Sequence, residues 1–294
     1  MKRKSLVQQA VEEIPGFLQS YTNFSKKLYL KQKSSSTIDH YTRCVAHLCL
    51  YCKKLPEMMT AEEVDDYLVY MLKQGASRSQ FKHILCGLRW YFKINALAWL
   101  AVSLPSIPRS QPLPVVLSYQ ECKRLFHSPD DLKHKVFLSL VYSAGLRAQE
   151  VRNLRLEDID FDRKMIHIRN SKYRKDRYVP LSDHIIRGLK KYYAQCNPKV
   201  YCFNSKEIGK PLTRNTAQWI MRDAVKKAGI TKHATLHTLR HSYATHLLEM
   251  GMNIRQLMSL MGHSNIESTM VYLHLINSET AQTFSPFDRI WNTK

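Results

Sequence analysis

Four prolines fall within ten residues, at positions 105, 108, 112 and 114 of the stretch SLPSIPRSQPLPVVL (103–117). Proline has no amide N–H and its ring fixes φ, so neither a helix interior nor a central strand survives such a run. The chain must fold on either side of it. The stretch reads as an extended linker. The expected organisation is a first domain over residues 1–105, a linker over 106–117 and a second domain over 118–294. A chain of 294 residues is long enough to bury a core on each side.

The first part reads as all-helical. Apolar side chains recur at helical spacing over about 17–31 and 37–54. Thr60 followed by Glu63 is a capping box, and the helix it starts stops at Gly75. A fourth helix is expected from about Ser77 to Ile94, where FKHILCGLRWYFK mixes basic and aromatic side chains. Four short helices make a small bundle, with most aromatics in its core. Lys82 and Arg89 on the fourth are candidates for facing an anionic partner. The second part is mixed. Ser118 and Glu121 form another capping box, an apolar helix runs from about 131 to 143, and a short helix follows Arg147. KMIHIRN and RYVPL alternate like strands around SKYRKD, a β-hairpin with a basic tip. Helices follow at about 182–195 and 215–228. Two more stop at Gly251 and Gly262, and Ser264 with Glu267 is a third expected capping box, starting a helix that carries Tyr272. The fold class expected is mainly α with a small β-hairpin, in two domains.

Charge narrows the partners. Lysine and arginine number 45 against 24 acids, a net +21. Residues 1–105 hold 15 basic and 8 acidic side chains, and 106–294 hold 30 and 16, so the excess belongs to both folded parts. Such a field attracts polyanions, of which nucleic acid is the usual one. No apolar run reaches the roughly 18–20 residues of a membrane span, and the N-terminus lacks the apolar core of a signal peptide. A cytoplasmic protein with no membrane partner is expected. Seven cysteines do not suggest a disulfide framework. Cys49 and Cys52 make a CxxC near His47, but no second ligand pair accompanies it, and buried reduced thiols are the better reading.

LHTLRHSYATHL (236–247) concentrates polar chemistry. His237 and His241 share a helical face, as zinc-binding histidines do. Arg240 beside them repels a divalent cation, and no carboxylate sits where a zinc hydrolase needs one. The i, i+3 pair His237 and Arg240 suits an anion instead. A guanidinium fork with an imidazole receives phosphate oxygens well. His241 and His246 are expected to serve packing or the surface.

Partners for that pair lie elsewhere. YSAGLRAQEVRNLRLEDID (142–160), the hairpin tip around Lys172, LHTLRHSYATHLLEMG (236–251) and LMGHSNIESTMVYLH (260–274) occur in an order and spacing that resembles the tyrosine recombinases, the phage integrase family. The resemblance spans roughly residues 15–275. It implies a helical core-binding domain followed by an α+β catalytic domain. It also implies a reaction, cleavage and rejoining of DNA through a covalent 3′-phosphotyrosine, with no metal, ATP or other cofactor. Carried over position by position, Arg147 and Arg240 match the catalytic arginines, Lys172 the hairpin lysine that protonates the leaving 5′ oxygen, and His237 the histidine of HxxR. His263 matches the late histidine position and Tyr272 the nucleophile; His237 is expected to assist proton transfer and His263 to hydrogen-bond the phosphate. Glu150, one turn past Arg147, is expected to orient an arginine or histidine. Each arginine is expected to clamp the phosphate through a bidentate fork. Arg174 and Lys175 beside Lys172, like Lys82 and Arg89, are expected to contact DNA. The family implies a homotetramer on double-stranded DNA recombination sites, joined by exchange of the C-terminal tail after Tyr272. The start of the chain directly with the helical domain is expected to mean that no arm-binding domain is present. The resemblance further implies a nucleoid-associated protein of bacterial, phage or mobile-element origin, with integration and excision of a mobile element as the expected role. The alternatives are Xer-like dimer resolution, a non-catalytic DNA-binding relative, and a type IB topoisomerase.

Overall fold

A computed structural model describes residues 4–102, 104–105, 113–169, 176–207 and 209–273. The chain divides into two compact units, over residues 1–110 and 111–294. Most of the proline-rich stretch, residues 106–112, lies outside the described residues.

The first unit is helical: α1 (Leu6–Glu13), α2 (Phe17–Leu30), α3 (Ser35–Cys52), α4 (Ala61–Lys73), α5 (Arg78–Ile94) and α6 (Ala98–Val102). The expected four helices are α2 to α5, and two more flank them. The sequence signal for α1 is a capping box of Ser5 and Gln8, hidden in a polar N-terminus. The Thr60–Glu63 box starts α4 as expected. α3 packs against α1 and α5, and Phe24, Leu48, Tyr67, Leu88 and Tyr91 fill the core between the helices. Cys49 lies in that core on α3, where burial pushes its thiol far up. Lys82 and Arg89 stand exposed on α5. The Nη2 of Arg89 donates to the carbonyls of Leu104 (3.2 Å) and Pro105 (2.6 Å), so it also ties the chain after α6 to the bundle.

The second unit carries α7 (Tyr119–His127), α8 (Leu132–Ser143), α9 (Ala148–Arg152), β1 (Ile159–Asp160), β2 (Met165–Ile168), β3 (Arg177–Pro180), α10 (Asp183–Cys196), α11 (Arg214–Lys227), α12 (Leu236–Glu249), α13 (Ile254–Met261) and α14 (Glu267–Met270). The expected hairpin is β2 and β3, antiparallel, with Ile166 opposite Val179 and Ile168 opposite Arg177. The two-residue β1 adds a third strand on the β2 side. α8 is apolar nearly all round and runs between α10 and α12. α12 is likewise buried over most of its circumference. That is why its amphipathic pattern is weak in the sequence and why its polar residues face partners rather than water.

One capping box does not form. α14 begins after Ile266 with no side-chain cap, and the amide of Glu267 donates to Asn265 Oδ1 (3.1 Å) rather than being paired through Ser264. Asn265 caps as well as serine does and sits one residue nearer. Tyr272 therefore lies in the turn that follows one short helical turn, not on a longer helix.

Candidate active site

Two helix ends build the site. α8 closes at Gly145, whose φ of +57° lets its amide reach Tyr142 O while the amide of Leu146 reaches Val141 O. This left-handed closure needs glycine, and an added Cβ would stand 2.4 Å from the Tyr243 ring. The turn delivers Arg147 to the N-cap of α9. α13 closes the same way at Gly262 (φ +59°), with the His263 amide bonded to Met258 O (3.1 Å). That closure fixes where His263 leaves the helix.

The last carbonyls of α13 have no partner within the helix. Three arginines take them. Arg177 Nε donates to Leu260 O (2.8 Å), Arg240 Nη2 to Met261 O, and Arg147 Nη2 to Gly262 O (2.9 Å). The negative end of the helix dipole thus gathers positive charge from β3, α12 and the α9 N-cap. Arg240 Nη1 also donates to Gly145 O, so one guanidinium joins both glycine turns.

Glu150 is the counter-ion. Its carboxylate receives both Nη atoms of Arg177 (2.8 Å each), Nη1 of Arg147 (2.7 Å) and the Arg147 amide (2.8 Å). Arg240 Nη1 stands 3.9 Å away. Burial pushes this carboxyl up, but hydrogen bonds and charge from Arg177 and Arg147 outweigh it and hold the group at about 2. One carboxylate against three guanidiniums leaves a surplus of positive charge in a mostly buried place.

The histidines feel that surplus. Burial, then Arg240 and the other arginines, pull His263 down to about 4. Its Nε2 meets Arg240 Nη2 (3.2 Å) and its Nδ1 meets Thr269 Oγ1 (2.8 Å). Since a guanidinium only donates, Nε2 accepts and the proton sits on Nδ1. His237 is lowered by burial, Arg240 and Arg147. His241 is pulled to about 4 by burial, His237 and Arg240. The rings of His237 and His241 pack edge to face, centroids 4.2 Å apart. Tyr272 is only 3% exposed, and its hydroxyl bonds to His241 Nδ1 (3.0 Å). Its ring lies parallel to that of His263 at 6.5 Å. Burial raises the phenol, and Arg240 and Arg147 partly offset that.

These displacements predict acid sensitivity. His241 and His263 bind a proton more weakly folded than unfolded. Their contribution is complete above pH 6.5 and is lost as pH falls to about 4. The contribution of Glu150 is complete above pH 4.5 and is lost toward about 2. Stability read from the urea midpoint is expected to fall by several kcal/mol between pH 7 and pH 4. His263→Asn, which cannot titrate, should show a shallower fall; an identical slope would remove His263 from the account.

Of the residues expected at the site, Arg147, Glu150, His237, Arg240, His263 and Tyr272 converge here. Lys172, Arg174 and Lys175 lie outside the described residues, as does the tail after residue 273. Two details are added. Both arginines are partly spent on the protein. Arg240 is 1% exposed and both Nη2 hydrogens are committed, while each Nη of Arg147 already serves a protein acceptor. And His241, expected to serve packing or the surface, holds the Tyr272 hydroxyl. His246 does serve packing, stacked on Tyr119 and bonded to the Tyr142 hydroxyl (2.7 Å). Sequence reading also missed Arg177. Its signal was parity: Arg177 and Val179 share a strand face, and a cation on the buried face needs a partner. Arg152, Arg214, Arg222 and Lys226 line a cleft that includes His237, and Arg155 and Arg169 line another that includes Arg147.

Residues 116–279 match the model of the Phage integrase family, and residues 21–95 match that of the phage integrase N-terminal SAM-like domain. A putative integrase/recombinase of Sinorhizobium fredii is 31% identical over 90% of this chain and 87% of its own length. Tyrosine recombinase XerA of Pyrococcus horikoshii is 34% identical over 85% of this chain and 86% of its own. Among solved structures, XerA recombinase is 27% identical with a TM-score of 0.54, covering 90% of this chain and 96% of that one. XerH bound to its palindromic difH substrate shares the fold, with a TM-score of 0.70 at 17% identity over 97% of this chain and 90% of that one.

Proposed function

The chain belongs to the phage integrase family of tyrosine recombinases, and from that premise we propose that Tyr272 cleaves and rejoins DNA at specific sites. One observation carries the assignment of residues. Four positions far apart in the chain, Arg147, Arg240, His263 and Tyr272, meet around two helix ends, with a surplus of positive charge beside a buried phenol.

The chemistry follows from the residue types. The Tyr272 oxygen forms a bond to the scissile phosphorus, and the bond to the 5′ oxygen breaks. The product is a 3′-phosphotyrosine and a free 5′ hydroxyl, so the ester count is unchanged and rejoining needs no ATP. Negative charge grows on the nonbridging oxygens. Arg147, Arg240 and Arg177 set a positive field there before the substrate arrives, which needs no reorganisation at the moment of reaction. Because their N–H groups are partly spent on carbonyls and on Glu150, we assign them this field together with the hydrogens that remain, most of them on Arg147. Lys172 is assigned the proton for the 5′ oxygen, on its match to the family's position. Residues 1–105 are assigned as the core-binding domain and 118–294 as the catalytic domain. Lys82, Arg89, Arg174, Lys175 and the basic clefts beside His237 and Arg147 are assigned to the DNA backbone. The assembly is a tetramer on two DNA sites, with the tail after Tyr272 docked on a neighbour.

The biological role proposed is integration and excision of a mobile element. The identity to XerA recombinases supports a second reading, resolution of replicon dimers. One experiment tests the core of this. A nicked duplex bearing the DNA next to the gene is incubated with the protein. A covalent complex that resists detergent is expected, with the attached nucleotide mapped to the Tyr272 peptide and light scattering of the undenatured complex giving four protomers. An adduct at another residue, or none on any flanking DNA, ends the proposal.

A further inference from the structure

We propose that His241 accepts the phenolic proton of Tyr272 as the phenol attacks the scissile phosphate. The inference rests on the recombinase reading above. A buried phenol is a poor nucleophile until its proton has somewhere to go. Two histidine rings lie against Tyr272, and their hydrogen bonds separate them. His263 has both ring nitrogens engaged, Nε2 with Arg240 and Nδ1 with Thr269. His237 packs edge to face on His241 and, among the described residues, has neither a ring contact nor a hydrogen bond with Tyr272. His241 places Nδ1 3.0 Å from the Tyr272 oxygen, within proton-transfer reach.

The groups facing His241 are His237 and Arg240 from its own helix and Tyr272 from the turn after α14. Before DNA binds, they keep its imidazole neutral, and in its Nε2–H tautomer the Nδ1 lone pair faces the phenol. A phosphate seated among the arginines offsets the Arg240 charge that makes His241 a weak base. Substrate binding therefore strengthens the base when it is needed. In the forward step the proton moves from Tyr272 to Nδ1, the phenolate oxygen bonds to phosphorus, and the departing 5′ oxygen takes a proton from its own donor. In the reverse step the 5′ hydroxyl gives its proton back to that donor as it attacks phosphorus, and the Tyr272 oxygen leaves and recovers its proton from His241.

The test is single-turnover adduct formation on a nicked suicide duplex built on the cleavage position mapped for the wild-type protein. His241→Asn retains a hydrogen-bonding side chain but has no useful proton affinity. At pH 7 it is expected to react about 10²-fold more slowly. Its rate should climb about tenfold per pH unit as the phenol ionises in solvent, while the wild type stays flatter. The defect should persist on a 5′-bridging phosphorothiolate strand, whose leaving group needs no proton. His241→Gln is the second variant should His241→Asn fail to fold. A rate within twofold of wild type, or a defect that vanishes on the phosphorothiolate, overturns the assignment. Absence of any adduct with the wild type instead overturns the recombinase reading.

Discussion

Tyr272→Phe is expected to fold as the wild type does, bind the same DNA and form no covalent adduct at all. The ring is buried against Tyr243, Leu257 and Met261, and phenylalanine fills the same space. The hydroxyl's bond is to His241, which is only half buried and can bond to water instead. The stability change should therefore stay within about 1 kcal/mol. The chemical change is total, because no other described hydroxyl bonds to His241 in its place. Thermal midpoint, DNA gel shift and adduct formation measured together check this. Residual adduct in Tyr272→Phe would mean that another residue is the nucleophile.

Arg240→Ala is expected to damage both stability and rate. The guanidinium is the largest fully buried side chain of the second unit. Its loss strands Gly145 O, Met261 O and His263 Nε2, and it removes a cation facing Glu150. Stranding buried polar groups in this way costs about 3–5 kcal/mol. Burial and the neighbouring Arg147 lower Arg240 to about 10, still charged at neutral pH, so the site also loses a full positive charge. Adduct formation should fall about 10³-fold. Arg240→Lys separates the two effects. It keeps a charge but cannot bridge two carbonyls, so its stability should lie between wild type and Arg240→Ala while its rate stays low. Equal rates for Arg240→Lys and wild type would show that charge alone suffices. The effects of Arg240 and Arg147 should not add, since both tie down the end of α13.

Much of the fold was legible because local signals coincide with element ends. The boxes at Thr60 and Ser118, the glycines at 75, 145, 251 and 262, and the alternation in MIHI and RYVP each act within a few residues. Where two local caps competed, as Ser264 and Asn265 did, sequence reading chose the wrong one. β1 and α6 are too short to show a period.

The site divides along a different line. The sequence by itself determined which residue types are present and their order: an arginine after a glycine turn, HxxR on a helix, a histidine after a second glycine turn, and a tyrosine nine residues on. It also determined the positive surplus that suits a polyanion. Only the tertiary structure decided how those groups are spent. Three arginines from three elements meet the end of α13 because its last carbonyls lack partners within the helix. Arg177 joins them through Glu150, so part of each guanidinium is committed before any phosphate arrives. His241, rather than His237, holds the phenol. Hydrogen-bond partners are fixed by distance and burial across elements, and no spacing along a single helix encodes them.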